Sequence, residues 1–396
     1  MNDDIRHPRQ PNNNEDQNKK TATDIPEAEG FAAVKATRKP KQWRWPHIIV
    51  QQATKKQKII GGVIIAVLLV GGGIGVYALS KDSKASPAAP SIAEKAVEPP
   101  KPTTEASKLT GEQIDPALNK RPITGVMIEN SPDARPQAGI INAGVIYEAI
   151  AEGGITRFLC LYQQNQPDHI GPIRSFRPYY GYLLMPYDAS IVHAGGSGDG
   201  LAIIRNYGLK DIDHTANSGA FKRVSDRYAP HNLYTSMAKL DEASTARGYT
   251  NSEAKSLQRK EEKPGQPIGA KAIDLSISSP LYKVHYDYDP VTNNYPRTMG
   301  GKPHTDHRSG YQIAPKVVVA IVMSYAQSGI YSVYETNGTG RAFIFQDGGV
   351  QQVNWSKGGE REQFTFTDEA GGPVALNAGQ TWITLVKSPN QVTFVP

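Results

Sequence analysis

The sequence predicts an α+β protein: a mixed α/β N-terminal ectodomain, then a mostly antiparallel β C-terminal domain, carried on a single transmembrane helix. Three observations predict it. Residues 59–79 are 21 residues without a formal charge. As a helix they would span ~30 Å, the hydrocarbon thickness of a bilayer. Residues 121–245 mix strand-like and helix-like apolar runs, whereas 270–396 break into short strands between glycine turns.

At the N-terminus, residues 1–58 carry 12 Lys+Arg and 7 Asp+Glu, a net +5 of the chain's +6. Their asparagine-rich run has nothing to bury, so a disordered cytoplasmic tail is expected. The remaining +1 belongs to residues 59–396. A pI near 9.0 is therefore no argument for nucleic acid, and nucleic acid is excluded as an expected partner. Basic residues before position 59 place the N-terminus in the cytoplasm and the later residues outside. The rival is a cleaved signal peptide ending near Ala78-Leu79-Ser80. Prolines among residues 80–118 read as an extended stalk. The single cysteine, Cys160, excludes a disulfide framework within the chain and a Cys-rich zinc site.

Residues 119–245 read as an α/β ligand-binding domain. Strand candidates are 123–129, 145–152, 155–162 and 190–194. Gly153-Gly154 marks a two-residue hairpin turn. Helices are expected at 176–185, with Ser175 as N-cap, and at 233–240, with Asn232 as N-cap. Residues 246–269 read as a linker or exposed loop. The β-rich part, 270–396, has strand candidates at 281–288, 317–324, 330–335, 341–346, 363–366 and 381–387.

The hairpin carries charge. With regular pairing, Glu148, Glu152 and Arg157 share one face, while Tyr147, Ala149, Ala151, Phe158, Cys160 and Tyr162 share the other. The two carboxylates would stand ~13 Å apart at ~3.3 Å per residue, too far for a glycosidase pair. An internal Glu–Arg–Glu network is the plain alternative. Arg174 and Arg177, beside a helix start, suit a carboxylate or phosphate, unless they pair with Glu148 and Glu152. His193 ends a strand before a glycine loop that carries Ser197. The loop lacks the dinucleotide spacing and the nucleophile-elbow spacing. His231 and Asn232 sit on a proline-fixed turn, where they can polarise a carbonyl or simply make the turn. His304, Asp306 and His307, with His285, offer oxygen and imidazole ligands without any metal-specific spacing. No metal and no cofactor is expected.

Several strings together resemble a known family. They are Arg121-Pro122, Met127-Ile128-Glu129-Asn130, Ala134-Arg135-Pro136-Gln137, and Ile146-Tyr147-Glu148 running to Arg157-Phe158. Gly171-Pro172-Ile173-Arg174-Ser175-Phe176-Arg177-Pro178, His193-Ala194-Gly195-Gly196-Ser197 and Ala229-Pro230-His231-Asn232 follow. Later come Tyr295-Pro296-Arg297, His304-Thr305-Asp306, Trp355-Ser356-Lys357 and Gly379-Gln380-Thr381-Trp382. Over roughly 118–396 the chain resembles the YerB, or DUF3048, family of bacterial surface proteins. The resemblance implies an extracytoplasmic protein with two family domains. Its members are often lipoproteins. This chain departs from that, since no Cys near residue 79 can take a lipid.

The expectation is a membrane-anchored envelope protein binding an anionic cell-wall or glycan-linked ligand. Arg135, Arg157, Arg174 and Arg177 supply positive charge, with Ser197 and Asn232 as further contacts. Glu152, His193 and His231 would handle protons if the ligand is hydrolysed or transferred. The alternatives are a non-catalytic adaptor for other envelope proteins and, last, a metal-dependent hydrolase at His304 and Asp306.

Overall fold

The structure is a computed structural model that describes residues 103–265 and 269–396. The expected tail, membrane helix and most of the stalk lie outside the described residues. Among the described residues, no helix is long and apolar enough to cross a membrane.

Ten strands run edge to edge through the main sheet. In chain order they are β1 (Thr124–Glu129), β2 (Val145–Glu152), β3 (Ile155–Tyr162), β4 (Ser190–His193), β5 (Asp211–Asp213), β6 (Val317–Val322), β7 (Gly338–Gln346), β8 (Gly349–Lys357), β9 (Thr365–Thr367) and β10 (Thr381–Val386). Their spatial order is β9-β8-β7-β6-β10-β2-β3-β1-β4-β5. The halves meet where β10 pairs in parallel with β2, Thr381 beside Val145. The expected boundary at 246–269 therefore does not divide the core. Leu257 in that segment is buried, and Arg259 donates to Leu109 O, Asn377 O and Thr381 Oγ1. Residues 103–118 are likewise no free stalk, because Leu109 is buried in the core and Gly379 N donates to Thr110 O.

Nearly every central strand residue is buried, as befits a sheet covered on both faces. One face, with Met127, Tyr147, Leu159, Val319 and Ile383, packs under helices α1 (Pro178–Leu184) and α2 (Gly198–Tyr207). The other, with Ile128, Ile146, Phe158, Val318 and Trp382, packs on a five-stranded antiparallel sheet and on α3 (Met237–Ala246). That second sheet is built from Ala272–Ser276, Lys283–Asp287, Arg297–Met299, Lys302–Pro303 and Val392–Val395.

The hairpin turn forms as expected, with Gly153 and Gly154 at φ 56° and 81°. Such angles favour glycine. The pairing beyond it differs. A bulge between Ile150 and Glu152 sets Ile150 opposite Thr156 and Glu148 opposite Phe158. One extra residue reverses the facing of everything before it. Glu148 thus joins the face of Phe158 and Cys160, and Arg157 stays with Glu152 on the helix side. The expected single-face triad of Glu148, Glu152 and Arg157 does not exist.

Glu148 instead belongs to a closed hydrogen-bonded ring in the core. Arg297 Nη2 donates to Glu148 Oε2 at 2.8 Å, and Arg297 Nη1 meets His304 Nδ1. His304 Nε2 donates to Gln137 Oε1 at 2.9 Å, and Gln137 Nε2 to Asn130 Oδ1 at 2.9 Å. Asn130 Nδ2 donates to Thr156 Oγ1 at 2.6 Å, and Thr156 Oγ1 to Glu148 Oε1 at 3.0 Å. Trp382 Nε1 adds a bond to Glu148 Oε2 at 3.0 Å. All six members are buried. Because the guanidinium only donates, His304 accepts at Nδ1 and carries its proton on Nε2.

Burial, with Arg297 and Arg135 nearby, pushes the His304 pKa well below the usual imidazole range. The unfolded chain takes up this proton below pH ~6.5, and the folded chain does not. The contribution to stability is therefore present above that pH and is lost as the pH falls. Nitrogen-resolved NMR should show His304 as the neutral Nε2–H form from pH 7 to 5, while the urea midpoint drops over the same range. Titration of His304 near 6.5 in the folded protein would contradict the ring.

Candidate functional site

The three groups expected to handle protons lie in three separate networks. Glu152 accepts from Arg157 Nη2 at 2.6 Å on one oxygen, and from Arg177 Nε at 3.1 Å on the other. Burial pushes its carboxyl up, but the two guanidiniums outweigh this and hold it below the usual carboxylate range. Arg157 also donates to Ser175 O, and Arg177 lies 5.2 Å from the Tyr331 ring centre. This is the internal Glu–Arg network, with Arg177 in place of Glu148, and it fixes the start of α1. Arg177, not Ser175, stands at the N-cap position of that helix, and no side chain caps it.

His193 is fully buried at the end of β4. Its Nδ1 lies 2.9 Å from Gly195 O, and its Nε2 2.9 Å from Asp211 Oδ1. Asp213 receives Gly195 N and Thr215 N and stays below the usual range, these bonds outweighing burial. With both ring nitrogens engaged, His193 braces the glycine loop. Ser197 is the N-cap of α2, its Oγ accepting from Gly200 N at 3.2 Å. Asn232 accepts from Arg223 and donates to Val224 O and Arg227 O, which makes it a turn residue. It caps no helix, because Leu233–Tyr234 is a strand and α3 starts after Ser236, whose Oγ accepts from Lys239 N.

His231 is different. Its Nδ1 lies 2.9 Å from Glu129 Oε1, and the same oxygen accepts from Ser131 Oγ at 2.8 Å and forms an ion pair with Arg174 Nη2 at 3.0 Å. Glu129 ends β1, with 4% of its side chain exposed; Arg174 and His231 keep 27% and 21%. Glu129 Oε2 and Arg174 Nε are buried without a partner. The bond at Nδ1 fixes the imidazole tautomer and leaves Nε2 for a ligand. Ser131 lies 3.4 Å from Nδ1, not Nε2, so it is not placed as a nucleophile for this histidine. β1, β4 and β5 are parallel, and the cluster lies beyond a carboxyl end, where open α/β sheets place ligands.

Arg135 donates only to neutral oxygens, Asn130 Oδ1 and O and Leu281 O. His285 stands between Asp274 and Asp287 on the second sheet, and Asp306 receives Gly139 N. With His304 in the ring, these residues do not converge. Among the described residues no group of three His, Cys, Asp or Glu is placed to hold a metal. Glu129 was legible only inside a motif string. The signal that marks it is an acidic residue closing a wholly buried strand, as His193 closes β4.

Removing the hydroxyl in Ser197→Ala should cost about 1 kcal/mol, the loss of a helix cap, measured by denaturant unfolding. Glu152→Gln should cost about 3 kcal/mol, because two guanidiniums lose their charged acceptor. A loss under ~0.5 kcal/mol for Glu152→Gln would mean that the network does not hold α1.

Comparison with known proteins agrees with this architecture. Residues 109–250 match the model "Protein of unknown function (DUF3048) N-terminal domain", and residues 272–383 match its C-terminal counterpart. The chain is 28% identical over 285 residues to "Putative lipoprotein YerB" of Bacillus subtilis, covering 70% of this chain and 85% of that one. It is also similar to the crystal structure of YerB from Bacillus subtilis, with a TM-score of 0.67 and 25% identity over 73% of this chain and 99% of that one.

Proposed function

The chain belongs to the DUF3048 family, and from that premise we propose that it is a membrane-anchored, extracytoplasmic envelope protein that binds an anionic cell-wall or glycan-linked ligand at the Glu129 edge. The observation that carries the reading is the meeting of His231 and Arg174 on one oxygen of a buried carboxylate. Glu129 orients both groups. Arg174 then offers its remaining N–H bonds to an incoming oxyanion, and His231, with its proton on Nδ1, offers the Nε2 lone pair to a hydroxyl of the ligand or to a water. Arg157 and Arg177 take no part, since both are buried and engaged with Glu152. Residues 59–79 would serve as the anchor, with the N-terminus in the cytoplasm. The relative's printed description as a lipoprotein supports a membrane-proximal address.

If the bound group is also cleaved, His231 is the one expected proton-handling residue with a nitrogen to offer, and water the nucleophile. An adaptor role is the second reading. It is favoured by the hairpin Tyr325–Ser328 and Tyr331–Tyr334, where Ile330 is 63% and Val333 47% exposed.

Full-length protein in detergent should co-sediment with purified cell wall. Arg174→Gln should weaken this about tenfold, the scale of one charge-assisted hydrogen bond, and His231→Gln about threefold, the scale of a neutral one. Mass spectrometry of the supernatant should find no released fragments. Fragments that vanish in His231→Gln would establish cleavage at this edge. Unchanged sedimentation of both variants would refute the edge as the site.

A further inference from the structure

A cleft borders the Pro132–Ala134 turn. It has a volume of about 360 Å³ and runs between that turn and residues 299–305 of the second sheet. The size is that of a small-molecule site. Pro132, Leu281, Met299 and Pro303 supply apolar walls. Arg135, Lys302 and His304 supply the polar lining.

Four of the arginines named above each have an acidic partner. Arg157 and Arg177 pair with Glu152, Arg174 with Glu129, and Arg297 with Glu148. Arg135 has no such partner among the described residues. Three of its N–H bonds go to neutral oxygens: Nε to Asn130 Oδ1 at 3.1 Å, Nη2 to Asn130 O at 2.9 Å, and Nη1 to Leu281 O at 2.9 Å. A guanidinium carries five N–H bonds. One therefore remains on each terminal nitrogen. The Tyr282 ring, 4.9 Å from the guanidinium carbon, fixes its plane. Arg135 and Lys302 have no acidic partner among the described residues, and His304 is neutral, so the lining keeps two positive charges in excess.

We propose that this cleft is a receptor for an organic carboxylate, held by Arg135 and packed by its apolar body against the proline, leucine and methionine walls. Two N–H bonds on adjacent terminal nitrogens suit the two coplanar oxygens of a carboxylate. The guanidinium is held in place before any ligand arrives, so little ordering is needed on binding. Apolar walls favour an acid with hydrocarbon beside its charge over a bare inorganic anion. Lys302, exposed on the rim, adds attraction on approach. None of these groups belongs to the Glu129 edge, so either site can fail while the other stands.

The probe is acetyl-alanyl-alanine with a free C-terminal carboxylate, compared with its C-terminal amide, titrated calorimetrically into the full chain in detergent. The acid should bind at least about tenfold tighter than the amide. Arg135→Gln should abolish the difference. Leu281→Asp should do the same by placing a competing carboxylate beside the guanidinium. Leu281 is 54% exposed, so this variant keeps the fold and decides alone if Arg135→Gln unfolds. Acid and amide titrating alike, or no heat from either at millimolar concentration, would overturn the proposal. Retention of the acid preference in Leu281→Asp would do so too. So would inorganic phosphate displacing the acid at equal concentration, which marks a general anion site.

Discussion

The buried pair of Glu148 and Arg297 is the constraint on which the rest of the structure depends. Both side chains are wholly buried, and each is useless without the other. A lone buried carboxylate or guanidinium costs several kcal/mol in lost solvation. The ring of Thr156, Asn130, Gln137 and His304 fills their remaining hydrogen-bonding capacity and closes on itself. A fully satisfied network of this kind specifies one arrangement over its competitors more than it adds net stability. Here the arrangement is the register of the two halves, since Arg297 and His304 come from the second family segment and the other four from the first. The parallel pairing of β10 with β2 and the Trp382 bond to Glu148 run through the same joint.

The ring also explains where the candidate sites lie. Residues 129–137 leave β1, supply Asn130 and Gln137 to the ring, and pass over the surface between those two anchors. Glu129, just before the first anchor, gathers His231, Arg174 and Ser131. Arg135, just before the second, reaches back to Asn130. Two partly exposed sites thus stand on a segment pinned from beneath, and rigid support of that kind is what a binding site requires. By contrast, Glu152 and His193 hold α1 and the glycine loop, so their charge chemistry is used within the fold.

Much of this was legible in the sequence. The two-glycine turn, the strand ending at His193 and the short strands of the second half follow from local pattern. The bulge at Ala151 was not, because one extra residue leaves no mark in a strand buried on both faces, and it reversed the expected facing of Glu148. Nor could local pattern show that β10 enters the sheet between β6 and β2, since that pairing joins residues over two hundred positions apart. The site residues divided the same way. Arg174 and His231 were found from residue type, but Glu129, which brings them together, is one acidic residue at a strand end. The strings that carry the family resemblance, among them Arg135-Pro136-Gln137, Tyr147-Glu148, Arg297 and His304, turn out to mark the joint between the halves.

A double-mutant cycle across that joint, read by equilibrium denaturant unfolding, tests the central claim most directly. Glu148→Gln and Arg297→Met should each lose about 3–5 kcal/mol, because each strands a partner in the core. Together they should lose far less than the sum of the two, with a coupling of at least ~2 kcal/mol. Losses that simply add would contradict the account, and would mean that the two halves are held in register by something other than this pair.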